Sequence, residues 1–275
     1  MFVVFFSHMQ ITNKQWIVAG VGIVAVVLVV FGLVRYAKAP APSGTPNFTA
    51  SSTTPSGITT VPNVGTTTPI AAFQSFPINV VDTIASWSFK GAYSGNDTLV
   101  AQANADIAKL AGMVGGGEYD DYDFYNGIAN DYASLGKGAL AYQYYNRSIR
   151  VHPNKGLAYA NLAHLFDELG AYRTAADAYR KAVEAEPGML EYHLERLTYL
   201  TRQFSKDNAL ILAALTDASK QFGDNASILA IEAEWLESQG RYADAIKAWQ
   251  TVKMLSPASR ASAIDAQIAR DQAKE

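Results

Sequence analysis

The sequence predicts an all-α fold, a superhelix of stacked helix pairs behind one membrane-spanning helix and a disordered linker. Three observations predict it. Two consecutive segments repeat each other at a spacing of 34 residues. Within each, apolar side chains recur three and four positions apart, which gives a helix one apolar face. Near the N-terminus, nineteen successive residues carry no charge.

Residues 1–15 form a short tail that opens with the apolar stub MFVVFFSH, and Met9 is the more ordinary start. Residues 16–34 read WIVAGVGIVAVVLVVFGLV, from Trp16 to Val34, between Lys14 on one side and Arg35 and Lys38 on the other. As a helix they would span roughly 28 Å, close to the bilayer hydrocarbon thickness of about 30 Å. Valine is a poor helix former in water. In lipid the helix is nevertheless the single-segment solution, because it satisfies its own backbone groups. Trp16 and Tyr36 stand at the two ends, where aromatic side chains favour the headgroup layer. A core helix seldom stays apolar around its whole circumference for so long. A cleaved signal peptide would use Ala37-Lys38-Ala39, but Pro40 follows at once. An uncleaved transmembrane anchor is the expectation.

Residues 35–70 are the linker. From Ala39 onward they are dominated by Pro, Ser, Thr and Gly without a charge, and cannot bury enough apolar surface to offset the entropy of ordering. Such a tether reaches roughly 30 Å end to end. Asn47-Phe48-Thr49 fits a glycosylation sequon, as do triplets beginning at Asn96, Asn146 and Asn225. Asn146 falls inside a predicted helix, which argues against its use. Residues 71–121 precede the repeats. One helix is expected at about 97–113, where Leu99, Ile107 and Leu110 keep a helical period behind a capping residue. The stretch 71–95 is apolar, with Phe73, Phe76, Trp87 and Phe89, but has no clean period and receives no assignment.

The repeats occupy 122–257. In 122–155, Tyr125, Ile128, Ala129, Tyr132, Gly136, Ala141, Tyr145 and Pro153 stand in order. Residues 156–189 carry Tyr159, Leu162, Ala163, Phe166, Gly170, Ala175, Tyr179 and Pro187 in the same columns. The alanines are small where two helix axes must approach, the glycines fall where the chain reverses, and the prolines end each second helix. Residues 226–258 repeat the pattern with Ala233, Leu236, Gly240, Ala245, Trp249 and Pro257. Between them, 190–225 is a degenerate third unit, two residues longer, with Phe204 for the turn glycine and Gln221 for the closing proline. Residues 258–275 form a capping helix with a narrow seam of Ala261, Ile264 and Ile268.

These eight columns resemble the tetratricopeptide repeat (TPR), and the resemblance covers 122–274. It implies about four helix pairs whose first helices line a concave groove that holds extended or helical peptides. The groove columns then carry Asp123, Asn126, Asn130, Asn161, His164, Asp167, Glu191, Glu195, Arg202, Glu234 and Glu237. Members that grip acidic C-termini line this groove with bases. Here acids stand instead, so that activity is not carried over, and basic or neutral segments are the expected ligands.

Other chemistry is excluded by what the chain lacks. It has no cysteine, so disulfides, thiolate metal sites and cysteine nucleophiles are absent. No P-loop, nucleophile elbow or metalloprotease motif occurs, and the four histidines are scattered. No cofactor, metal or catalytic residue is expected. Net charge is −3 with dispersed bases, so nucleic acid is not an expected partner. The expectation is a membrane-tethered scaffold for proteins or peptides, with an ancillary subunit of an envelope machine (translocon or pilus assembly type) as the alternative. A remote third reading is an enzyme with its site in 71–95. Arg35 and Lys38 outnumber Lys14, which favours cytoplasmic repeats. An anchor so near the N-terminus, followed by an uncharged tether, favours an extracytoplasmic domain, and export is preferred.

Overall fold

The computed structural model describes residues 75–117 and 120–275. The expected anchor at 16–34 and linker at 35–70 lie outside the described residues, and no described helix is long and apolar enough to cross a membrane. Among the described residues ten α-helices follow one another: α1 Asp97–Met113, α2 Asp121–Ser134, α3 Gly138–Val151, α4 Leu157–Glu168, α5 Tyr172–Ala185, α6 Leu190–Gln203, α7 Asn208–Phe222, α8 Ala226–Ser238, α9 Tyr242–Leu255 and α10 Ala261–Gln272. Helices α2 to α9 form four antiparallel pairs, and α10 packs on α9 at the end.

Within a pair the crossing is set by alanine. Ala129, Ala163 and Ala233 on first helices, and Ala141, Ala175 and Ala245 on second helices, are fully buried. Their missing bulk lets the axes close up. The third pair carries Leu197 and Ile211 in these columns, both buried, and its helices pack less tightly than those of the other pairs.

The turn inside each pair is equally local. Gly136, Gly170 and Gly240 have φ of 72°, 73° and 72°. The amide after each glycine closes a six-residue bond back into the first helix, Lys137 to Tyr132 at 2.8 Å, Ala171 to Phe166 at 2.8 Å and Arg241 to Leu236 at 2.9 Å. This is the Schellman arrangement, which needs a left-handed residue at the glycine position. Phe204 replaces it in the third pair with φ −125°, and that turn is built differently.

Residues 75–95, which the sequence left unassigned, are an extended strap across the second helices. Phe76 is buried among Tyr159 and Phe166, with ring centroids 6.1 and 6.0 Å away. Its backbone is held at both ends: the N–H donates to Asn146 Oδ1 at 2.6 Å, and the carbonyl accepts from the Tyr142 hydroxyl at 2.7 Å. The strap then crosses α5, where Asn79 N–H donates to Thr174 Oγ1 at 2.9 Å and its side-chain amide to Asp177 at 2.9 Å. Asp82 accepts from the Thr174 N–H at 2.6 Å and hydroxyl at 2.7 Å. Helix α5 has no side-chain cap of its own, so Asp82 supplies the missing N-cap from 92 residues away. The strap returns over α3 and joins the first turn, with Phe89 N–H donating to Gly136 O at 3.2 Å. A β-carbon on Gly136 would stand 2.1 Å from the Phe89 oxygen. That glycine therefore serves the positive φ and the close passage of the strap together.

Candidate functional site on the first helices

The polar face of the first helices is built twice by the same device. A buried tyrosine on the second helix reaches past the core to a polar residue on the first. Tyr145 donates its hydroxyl to Asn130 Oδ1 at 2.6 Å, and thirty-four residues later Tyr179 sits 3.0 Å from His164 Nδ1. Burial pushes both phenols above their ordinary range, so they remain protonated. Asn130 and His164 are themselves exposed. In the fourth pair Trp249, in the tyrosine column, donates to Glu237 at 2.5 Å, and Gln267 on α10 donates to the same oxygen at 2.8 Å.

Five of the predicted residues are brought together where α4 faces α6. His164 Nε2 lies 3.9 Å from Glu195 Oε2. Arg202 pairs with Asp167, which also accepts from Gln203 at 3.0 Å, and the Arg202 guanidinium stands 5.7 Å from the Tyr199 ring centre. Beside them, Asn161 Nδ2 and Glu195 Oε2 are buried without a hydrogen-bond partner. Glu191, half-buried, lies one turn before Glu195 on the same side of α6. Glu234 is exposed on α8, the next first helix.

Asn126 is a correction. It is 3% exposed and points inward, donating to Tyr122 O at 3.1 Å and to Ser148 Oγ. The repeat register gives the reason. Asn126 shares its column with Ala160, also buried, whereas Gly127 holds the column of Asn161. A β-carbon on Gly127 would meet Leu110 of α1 at 2.8 Å, so α1 covers this part of α2. The 34-residue spacing carried enough information to place Asn126 in the core. The tyrosine hydroxyls could not be read that way, since their columns are explained by packing alone.

His193 stands apart from the site. It occupies the Tyr159 column and repeats its bond: Tyr159 OH donates to Pro153 O at 3.2 Å, and His193 Nε2 lies 3.0 Å from Pro187 O. Burial lowers its pKa, which fits a neutral ring donating to that carbonyl. Among the described residues, no group of three His, Asp or Glu is placed to hold a metal ion.

Residues 157–188, α4 with α5 and the turn after it, match the family model of the tetratricopeptide repeat. A comparison with curated proteins finds no match. Several solved structures are similar in fold. The C-terminal part of a TPR repeat-containing protein from Cytophaga hutchinsonii is 18% identical, with a TM-score of 0.49, over 65% of this chain and 69% of that one. MamA is 10% identical with a TM-score of 0.45, over 55% and 87% of the two chains. A chain of the APC/C hetero-tetramer Cut9–Hcn1 is 17% identical with a TM-score of 0.43, over 65% and 35%.

Proposed function

We propose that this protein is a membrane-tethered scaffold, not an enzyme, whose first-helix face holds an extended segment of another protein. The observation that carries the reading is the pair of unsatisfied groups between α4 and α6. Asn161 Nδ2 is a donor and Glu195 Oε2 an acceptor, both buried and both without a hydrogen-bond partner, His164 Nε2 standing 3.9 Å from the latter. Leaving such groups unpaired costs about 1–3 kcal/mol each. The main chain of an extended peptide offers one carbonyl and one N–H per residue, which is the complement of that pair. His164, already oriented by Tyr179, flanks it on the Glu195 side.

The sign of the face selects among segments. Asp167 is matched by Arg202, while Glu191, Glu195 and Glu234 leave the channel negative. Basic or neutral segments are favoured, and the preference weakens as salt shortens the Debye length from about 10 Å at 0.1 M. Residues 16–34 supply the tether, and an uncharged linker stands the repeats off the membrane on its outer side. Full-length protein probed against a peptide array should bind basic segments over acidic ones, and Glu191→Lys with Glu195→Lys should invert the order. Equal binding of both signs, or an order unchanged by the double substitution, overturns the groove assignment. Repeats that survive protease added to intact cells overturn export.

A further inference from the structure

The strap's seat has a counterpart one repeat on. Phe76 rests in a groove walled by α3 and α5 and floored by α4, touching Tyr142, Asn146, Tyr159 and Phe166. Adding 34 to Tyr142, Asn146 and Phe166 gives Ala176, Arg180 and Leu200. Those three line a cavity of 130 Å³ between α5 and α7 over α6. Alanine where the first groove has tyrosine is what opens it.

From this placement we infer that the groove between α5 and α7 is a second binding surface, on the second helices, that takes an extended acidic segment of a partner protein anchored by one aromatic side chain. Size points to the anchor. An apolar cavity of about 150 Å³ accepts a benzene ring, and Leu200, Leu210 and Ala176 supply apolar lining here. Charge points to the rest of the ligand. Arg173, Arg180 and Arg196 line the cavity against one carboxylate, Asp177, which Asn79 at the strap's edge of the cavity engages at 2.9 Å. Arg196 is 5% exposed and engages Asp217 through Nη1 at 3.0 Å, leaving further donors of its fork for a second carboxylate. Arg180 pairs with Asp177 and Glu184 on its own helix. Exposed pairs of that kind are worth little and exchange readily. Arg173 pairs with Asp207 at 3.3 Å, likewise at the surface, and stacks on a ring, 4.3 Å from the centre of Phe204, as guanidinium groups do with aromatic ligands. The strap shows how a segment enters such a groove: aromatic side chain down, backbone held at both flanks, an amide side chain three residues on and a carboxylate six residues on.

This surface prefers the opposite sign to the first-helix face, so the two assignments can fail separately. The test titrates full-length protein into fluorescein-labelled capped peptides Glu-Phe-Asp-Ile-Asp, Glu-Ala-Asp-Ile-Asp and Lys-Phe-Lys-Ile-Lys, read by anisotropy. The first should bind about tenfold or more tightly than either control, one lost charge-assisted contact being of that size. Arg180→Asn and Ala176→Tyr, which install the residues of the neighbouring groove, should each lose about that factor. Glu191→Gln with Glu195→Gln, which neutralises the first-helix face without reversing its sign, should leave it unchanged. Should Ala176→Tyr fail to fold by circular dichroism, Arg180→Asn decides, because its side chain is only half-buried and its replacement opens no core cavity. Equal binding of the three peptides overturns the proposal, as does retention in Arg180→Asn. So does tighter binding by the first-helix double variant, which would place the peptide on the other face. Self-association of the protein that Ala176→Tyr abolishes in sedimentation would make the occupant a second copy, and also overturns it.

Discussion

The groove over α4 is filled by the protein's own strap, whereas the groove over α6, built from the same columns, is open. In the first, Tyr142 and Asn146 grip the Phe76 backbone from the wall. In the second, Ala176 and Arg180 leave a cavity with a charged rim. The capping of the adjoining helices follows the same division. Helix α5 takes its N-cap from Asp82 on the strap, while α7 begins at its own cap, Asp207, which accepts from Leu210 N–H at 3.2 Å. The second helix of the second repeat is capped by chain from outside the repeats, and that of the third by its own chain. A stack of helix pairs thus need not treat its equivalent grooves alike. Two side chains per repeat decide whether one is filled by the chain itself or left as a cavity.

The largest test of that contrast is to empty the filled groove. Phe76→Ala is expected to destabilise the domain by about 3–5 kcal/mol, the usual cost of removing a buried phenylalanine. A fragment beginning at Asp97 should accordingly melt well below one beginning at Ser75. Coincident melting curves would mean that the strap adds nothing and that the two grooves do not differ in role.

The next test concerns the crossings beneath the grooves. Ala175→Leu, like Ala245→Leu, should cost about 1–3 kcal/mol by overpacking a closed crossing, and should lower the melting of neighbouring repeats as well, since each buries the next. The third pair already accommodates Leu197 and Ile211 in these columns. Unchanged melting of both alanine variants would show that the columns do not mark the tight contacts.

Capping gives a smaller effect and a direct pairwise comparison. Asp82→Ala and Asp207→Ala should each cost about 1 kcal/mol by chemical denaturation, one through the strap and the other through the helix's own chain. Loss from Asp207→Ala alone would detach Asp82 from the capping role.

The smallest expected effect lies at the opposite edge of the array, where α1 packs on α2. Burial pushes the Asp131 carboxyl up to about 7, and the Asp106 charge adds to it. The folded state therefore holds this proton more tightly than the unfolded chain, whose carboxylate titrates near about 4. The stability so contributed is complete below about 4 and is lost as pH rises through about 7. Asp131→Asn should raise Tm at pH 8 by about 2–4 °C, as expected for about 1 kcal/mol in a domain of this size, and little at pH 5. An equal gain at both pH values would exclude the ionisation as its source.

How far sequence reading reached depended on how far apart the interacting residues lie. The turns at Gly136, Gly170 and Gly240 close within six residues, so the glycine alone announces them. The crossings of Ala163 with Ala175 join helices a few residues apart, and the 34-residue period exposes them. On the first-helix face, Asn161, His164, Asp167, Glu195 and Arg202 were legible because a periodic array repeats its surface as well as its core. Asn126 was misread by attending to residue type over register: its column neighbour Ala160 is buried, and a polar group there turns in to Tyr122 and Ser148.

By itself, then, the sequence determined the helix pairs, their order, their turns and the acidic character of the first-helix face, since all of these arise from contacts local in the chain or repeated along it. Only the tertiary structure decided the path of residues 75–95. Extended chain carries no helical period, and the side-chain bonds that anchor it to the repeats span long sequence separations, from 66 residues between Phe76 and Tyr142 to 98 between Asn79 and Asp177. A segment whose partners lie so far away is specified by the shape and unfilled caps of the assembled repeats, which exist only once α3, α4 and α5 have packed.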